Sequence, residues 1–248
     1  MAVLLRIDSG GTRYEVRSHG ATRRLFSDGV FHSAWNPRTG LTGRAWDLLL
    51  AAAFVPARRP RRILVLGAGA GTVLLQYRRF IDPAALVGID RDPVHLQIGQ
   101  GYFGLAAAAA TLHLADARDW VAGWTGPAFD LVVEDLYGHR AGEAERAVPF
   151  DMAWVKKLSR LVAPGGALVA NFTSLAALNA CAPVRSTAAR AGYPSGFMLR
   201  GPLDHNAVAV LCRERTTPAA LRARVRELPG LDDRRRGCRL RYQVRTLW

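Results

Sequence analysis

Hydrophobic and polar positions change their period several times along the chain, and each change marks an element. Over residues 1–35 apolar and polar positions alternate in short stretches, 3–7, 13–17, 24–26 and 30–35, punctuated by Ser9-Gly10-Gly11, His19-Gly20 and Ser27-Asp28-Gly29. This spacing of turn residues predicts a small antiparallel β region. Residues 36–43 read as a loop, and at 44–54 Trp46, Leu49, Leu50 and Ala53 fall on one side of a helix. A breaker-rich basic linker, PARRPRR, occupies 56–62. The pattern then switches. Ile63 to Leu66 form a continuous apolar run, as in a strand buried on both faces. Gly67, Gly69 and Gly71 follow. Val73, Leu74, Tyr77 and Phe80 come next at helical spacing, and a second apolar run at 85–89 ends in Asp90. Asp92 and Pro93 open a helix as N-cap and first-turn proline. Strands at 111–114, 129–133 and 167–172 alternate with helices at 118–124, 150–161 and 175–191, and 140–149 reads as a loop. Strands at 195–199 and 206–212, a basic helix at 218–228 and a last strand within 239–247 complete the chain. Strands alternating with helices predict an α/β fold with a doubly wound parallel sheet. The expected architecture is a seven-stranded Rossmann-like sheet preceded by the small β region. The boundary falls at the linker, with a β region plus linking helix over 1–55 and the Rossmann-like α/β domain with its basic tail over 56–248.

The stretch from Arg62 to Asp90 carries the chemistry. A strand, a glycine turn, a helix, a second strand and an acid bind an adenosine-bearing cofactor at the carboxyl ends of parallel strands. Glycine lets the backbone approach a ligand closely and take dihedrals that a Cβ forbids. Asp90 is placed to accept hydrogen bonds from both hydroxyls of a ribose. A bare strand-to-helix turn needs the same glycines. It does not need an acid at a buried strand end, where an unpaired carboxylate is costly. The turn reads GxGxG rather than GxGxxG, which speaks against a nicotinamide dehydrogenase.

Composition narrows the class further. Half of the 248 residues are hydrophobic, enough for a substantial core. The longest apolar stretch, 45–56, carries Asp47 and ends short of the ~20 residues a membrane span needs. No basic n-region precedes a long apolar core, so no signal peptide and no membrane partner is expected. Cys181, Cys212 and Cys238 are widely spaced, which points to reduced thiols in a cytoplasm. None of the six histidines has a metal-ligand spacing, so no metal is expected. The net charge of +14 resides in the flanks: residues 1–62 and 213–248 each carry eleven Arg against four acids, while 63–212 is neutral. Such flanks suit an anionic partner such as nucleic acid. No aromatic residues interleave with the arginines as a stacking platform requires, so a solvated surface is the plainer reading.

Several motifs in the same order resemble the spermidine synthase family, the aminopropyltransferases built on the fold of class I S-adenosylmethionine-dependent methyltransferases. ILVLGAGAG at 63–71 resembles the family's strand and GGGDGG turn, with Val65 where many methyltransferases carry an acid. VGIDRDPVHLQIGQGYFGL at 87–105 resembles the segment around the ribose-binding acid, and HLADARDW at 113–120 the one whose acid contacts adenine. FDLVVEDLYG at 129–138 resembles the strand entering the DSSDP catalytic loop, and LVAPGGALVAN at 161–171 the helix, turn and strand after it. The resemblance covers about 27–172. It implies S-adenosyl-L-methionine or its decarboxylated form as cofactor, with no metal, and a homodimer. The cofactor set it implies is Gly67, Ala68, Gly69, Gly71, Asp90 and Arg91 for the turn and ribose, Asp116 and Ala117 for adenine, and His32 and Asp135 alongside. Asp116 also reads as the N-cap of the helix that follows it.

The departures from the family fall on the polyamine side. Ala70 stands where the turn's acid grips the aminopropyl amine, and Gly138 where the loop's second acid orients and deprotonates the attacking amine. His32 replaces the Gln of DGxxQ, and Ala45-Trp46-Asp47 replaces YHE, keeping an acid that reads as a solvated helix residue. A diamine is a dication, and its pocket needs carboxylates to offset desolvation. The expectation is therefore a spermidine synthase-like S-adenosylmethionine-dependent transferase, a methyltransferase acting on a small-molecule acceptor. The alternatives are a polyamine aminopropyltransferase using the decarboxylated donor, and an RNA-modifying, nucleic-acid-binding or non-catalytic cofactor-binding protein. A sulfonium carbon is already electrophilic, so catalysis needs in-line positioning and a base where the nucleophile has a proton to lose. Asp135, at the end of the fourth core strand, with Tyr137 and His139, are the catalytic candidates. Glu134 is expected to point away, because adjacent strand residues face opposite sides.

Overall fold

The computed structural model describes residues 2–140, 143–203 and 205–248, apart from the side chains of His139, Arg140 and Glu143. The N-terminal alternation forms a four-stranded antiparallel sheet in sequential order: β1 (Ala2–Ser9), β2 (Thr12–His19), β3 (Thr22–Ser27) and β4 (Val30–Trp35). One face of it carries Tyr14, Val16, Leu25 and Trp35 into the main hydrophobic core. Then come α1 (Ala45–Ala52), β5 (Arg62–Leu66), α2 (Thr72–Phe80), β6 (Ala85–Asp90), α3 (Pro93–Ile98), β7 (Thr111–Leu114), α4 (Ala117–Gly123) and β8 (Phe129–Glu134). After β8 lie β9 (Tyr137–Arg140), β10 (Glu143–Arg146), α5 (Met152–Ser159), β11 (Val162–Phe172), α6 (Leu175–Ala180) and α7 (Ala182–Arg185). The chain ends with β12 (Ser195–Arg200), β13 (Ala207–Cys212), α8 (Pro218–Arg226) and β14 (Gln243–Thr246).

The central sheet has eight strands in the order β14-β12-β13-β11-β8-β5-β6-β7. The strands from β11 to β7 pair in parallel, and β13, β12 and β14 pair antiparallel at the other end. These are the seven strands expected from the alternation plus an edge strand near the C-terminus. The continuous apolar runs serve two cores at once. Ile63, Val65, Leu131, Val133 and Val169 face one cluster. Leu64, Leu66, Val132, Leu168 and Ala170 face the other. From β5 the chain first winds out to β6 and β7, then returns to β8 on the opposite side. The carboxyl ends of β5 and β8 therefore flank the point where the winding reverses, which is where open α/β sheets hold their ligands.

Two segments depart from the sequence pattern. Residues 140–149, expected as a loop, contribute to the antiparallel hairpin of β9 and β10, in which Gly138 faces Glu145 and Tyr137 faces Arg146. The helix expected over 175–191 is instead two short helices that meet at Cys181, whose backbone is extended just before Ala182-Pro183. Proline at the start of α7 needs no hydrogen-bonded N–H there but could not continue α6.

Candidate active site across the strand ends

A cavity of about 450 Å³ opens over the carboxyl ends of the central strands. Its floor follows the sheet order: Asn206 leading into β13, Asn171 in β11, Asp135 after β8, Gly67 after β5, Asp90 ending β6 and Asp116 after β7. With ~4.8 Å between neighbouring strands, this row spans ~24 Å.

The glycine turn forms the middle of the floor. Gly67 and Ala68 donate their N–H groups to the Ile89 carbonyl at 2.9 and 3.0 Å. Gly69 N–H donates to Asp90 Oδ2 at 2.6 Å, and Asp92 N–H to Oδ1 at 2.9 Å. Gly67 has φ +89°, and a Cβ there would stand 2.1 Å from the Asp135 carbonyl oxygen. At Gly71, φ +88°, it would meet Leu105 Cδ1 at 2.2 Å. These glycines are thus required by the close approach of protein to protein, before any ligand is considered. The N-terminal sheet clasps the turn from above. Ala70 N–H donates to Ser33 Oγ at 3.0 Å, and Ala34 N–H to Thr72 Oγ1 at 3.2 Å. Gly67, Ala68 and Gly69 line the cavity. Gly71 caps α2 behind its wall, and Ala70 is fully buried.

On the β6 and β7 side, burial pushes the Asp90 carboxyl up, against the pull of His95 and of the N–H groups of Asp92 and Gly69. Each Asp90 oxygen accepts one backbone N–H and keeps a further lone pair for a ligand. Asp92 caps α3 through Val94 and His95 N–H and accepts from the Tyr14 hydroxyl at 2.9 Å. Burial and Asp92 push that hydroxyl up to about 12. His95 Nε2 lies 2.9 Å from Ser27 Oγ, and its ring centroid 5.0 Å from that of His32 on β4. Both histidines line the cavity. Asp116 accepts from Arg118 N–H at 2.7 Å and from the Arg118 guanidinium at 2.9 Å. That guanidinium holds its carboxyl below the usual range. Asp116 is therefore an N-cap and a cavity residue together, with Arg91, Ala117 and Arg118 beside it.

On the β8 and β11 side, Asn171 Nδ2 donates to Asp135 Oδ1 at 2.8 Å, and Asn206 Nδ2 to Asn171 Oδ1 at 3.1 Å. Burial pushes Asp135 up to about 6, with Asn171 and Arg146 opposing. Tyr137 lines the cavity and donates its hydroxyl to the Asn171 carbonyl at 2.8 Å. His139 belongs to β9, and its side chain lies outside the described residues. Glu134 turns to the opposite face, as strand geometry requires. It is fully buried, accepts from Arg146 Nη1 at 2.7 Å, and is pushed up to about 7 by burial. The Arg146 guanidinium lies over the rings of Phe172, Phe150 and Tyr137 at 4.7, 5.4 and 5.5 Å. This buried pair fixes the root of the β9–β10 hairpin. Asp47 is not a solvated helix residue: it is buried and accepts from Thr42 N–H at 2.9 Å, Gly43 N–H at 2.8 Å and Gln76 Nε2 at 2.7 Å. It organises the loop before α1 and lies outside the cavity lining.

The structure thus gathers Gly67, Ala68, Gly69, Asp90, Arg91, Asp116, Ala117, Asp135, Tyr137 and His32 around one space. The sequence reading missed His95, Asn171, Asn206 and Arg146. Asn171 left a signal, as a polar residue within the buried run LVANF. His95 lies on α3, five residues after Asp90, while Asn206 and Arg146 are brought in by the pairing of later strands. Among the described residues no group of three or more His, Cys, Asp or Glu is arranged to hold a metal ion, and no helix is long and apolar enough to cross a membrane.

No protein-family model matches the chain. It is 28% identical over 123 residues to a polyamine aminopropyltransferase of Vibrio vulnificus, covering 48% of this chain and 40% of that one. It is 26% identical over 139 residues to a probable polyamine aminopropyl transferase of Bifidobacterium longum, covering 55% and 29%. The chain thus spans less than half the length of either curated relative. A probable spermidine synthase from Corynebacterium glutamicum superposes with TM-score 0.72 at 14% identity, over 99% of this chain and 91% of that one. The spermidine synthase from Thermotoga maritima gives TM-score 0.65 at 12% identity, over 88% and 75%. Human methyltransferase-like protein 13 in complex with SAH gives 0.58 at 18%, over 77% and 91%. At these identities the structural likeness establishes the fold.

Proposed function

We propose that this chain, which resembles the spermidine synthase-like family in sequence and in fold, is a transferase that moves an alkyl group from an S-adenosyl sulfonium donor to a small-molecule amine. The observation that carries the reading is the division of one cavity floor by the glycine turn, with Asp90 on one side and Asp135 on the other. The residues on the Asp90 side fit an adenosine. The backbone of Gly67 to Gly69 offers a surface with little side chain, each Asp90 oxygen keeps a lone pair for a ribose hydroxyl, and Asp116 stands two strands' width from Gly67 for the base. The donor supplies an electrophilic carbon bonded to sulfur. Asp135 then holds the amine in line and takes the proton as nitrogen bonds to that carbon and the sulfur leaves with the electron pair. With its carboxyl pushed up to about 6, Asp135 is ionised near neutral pH and is a stronger base than an exposed aspartate.

Aminopropyl transfer from decarboxylated S-adenosylmethionine is the first reading, because both curated relatives carry that name. Methyl transfer from S-adenosylmethionine is the second. It is favoured by Ala70, fully buried where the family's turn has the acid that grips the aminopropyl amine. The nucleoside product decides between them. Incubation with each donor and a panel of amines, followed by mass spectrometry, is expected to yield methylthioadenosine in the first case and S-adenosylhomocysteine in the second. Donor binding without either product would refute the transferase.

A further inference from the structure

From β8 to β13 the cavity floor presents, among the described residues, one carboxylate and two carboxamides. Both amides are engaged in orienting the carboxylate: Asn206 donates to Asn171 at 3.1 Å, and Asn171 donates to Asp135 Oδ1 at 2.8 Å. Among the described residues, the other acids lining the cavity, Asp90, Asp92 and Asp116, lie beyond the glycine turn on the β6 and β7 side. Apolar side chains contribute to the walls of the Asp135 half, beside Tyr137 and Thr173. α1 packs against β11, β12 and β13, and Trp46 of α1 meets Phe31 edge to face at 5.2 Å. Val30, Leu136 and Val148 line the same cavity. Two nearby positions add positive charge. Arg44, at the start of α1, lines the cavity and donates to the Leu203 carbonyl at 3.3 Å. At Gly138 a Cβ would stand 3.4 Å from Arg91 Nη2.

On the transferase reading above, we infer that the acceptor carries a single basic amine on an apolar body, an alkylamine or arylalkylamine, rather than two amines. One ammonium is matched by Asp135. A second would leave water for a wall of amides, aromatic rings and arginine. No further carboxylate stands there among the described residues to replace the lost hydration. An aminopropyl donor would bring an ammonium of its own and make a dicationic acceptor costlier still. The apolar body lies against Phe31, Trp46 and Val148, where its burial favours binding.

Competition calorimetry on the full chain saturated with S-adenosylhomocysteine or methylthioadenosine tests this, with pentylamine and phenethylamine set against 1,5-diaminopentane. The monoamines are expected to bind roughly tenfold tighter or better than the diamine. Asn206→Asp, which adds a carboxylate to this half at almost unchanged volume, is expected to raise diamine affinity about tenfold relative to monoamine affinity. Diamine binding equal to or tighter than monoamine binding, or no amine binding to a nucleoside-saturated chain, would overturn the single-amine acceptor. Failure of both nucleosides to bind would instead overturn the donor reading beneath it.

Discussion

Replacing Arg146 with Met puts the buried pair at the root of the hairpin to a quantitative test. Glu134 is fully buried, and burial holds its carboxyl at about 7 even with Arg146 beside it. Its folded pKa exceeds its unfolded one, so this group lowers stability as pH rises from the ordinary carboxylate range to about 7. Without Arg146 the folded pKa climbs further, and the loss continues to higher pH. At about pH 5.5 the acid is protonated in both proteins. The substitution then removes hydrogen bonds to Glu134 and the Asn171 carbonyl and costs ~1–2 kcal/mol. Near pH 8.5 it leaves a buried carboxylate without its partner and costs ~3–5 kcal/mol. Urea denaturation followed by circular dichroism at the two pH values measures the difference, provided the slope with denaturant is unchanged. A loss of equal size at both would refute the assignment of Glu134 as the titrating partner.

Three further outcomes follow from the same geometry. Asn171→Ala removes the donor that holds the Asp135 carboxyl down, so that carboxyl is expected to titrate above about 6; the acid limb of the pH–rate profile should move up, while Asn171→Gln should move it less. Gly67→Ala places a Cβ against the Asp135 backbone, whereas Gly71→Ala meets only the movable Leu105 side chain. Thermal unfolding should show the larger loss for Gly67→Ala, with at least ~3 kcal/mol expected from a positive φ combined with a backbone clash. Asp116→Ala removes an N-cap from α4 and is expected to cost ~1 kcal/mol by denaturation, with nucleoside affinity as a separate readout of its place on the cavity floor.

How much of this was legible depended on the range of the interactions. The β5–α2–β6 unit was readable because its strands are buried on both faces and its turn needs glycine for local reasons. Asp90 was readable because a carboxylate closing a buried apolar run is costly when unpaired, whereas Asp116 read equally as an N-cap. The β9–β10 hairpin was not readable, since its strands, YGHR and EAER, carry no apolar alternation. The helix expected over 175–191 ran through Pro183, which opens a separate helix. Asp47 looked solvated because the groups that satisfy it, Thr42, Gly43 and Gln76, assemble only when α1 and α2 pack. Asn206 reaches Asn171, and Asn171 reaches Asp135, across three neighbouring strands, and Arg146 reaches Glu134 across the hairpin root. No period along the chain encodes such contacts.

On the proposed function, Asp90 and the glycine turn hold the adenosine of a sulfonium donor. Isothermal titration of S-adenosylhomocysteine and methylthioadenosine into the wild-type chain and the Asp90→Ala variant tests it most directly. At least one nucleoside is expected to bind the wild type, and the variant is expected to lose affinity on the order of 10- to 100-fold, as for hydrogen bonds to a charged group. Unchanged affinity in a folded Asp90→Ala protein, or no binding of either nucleoside to the wild type, would contradict it.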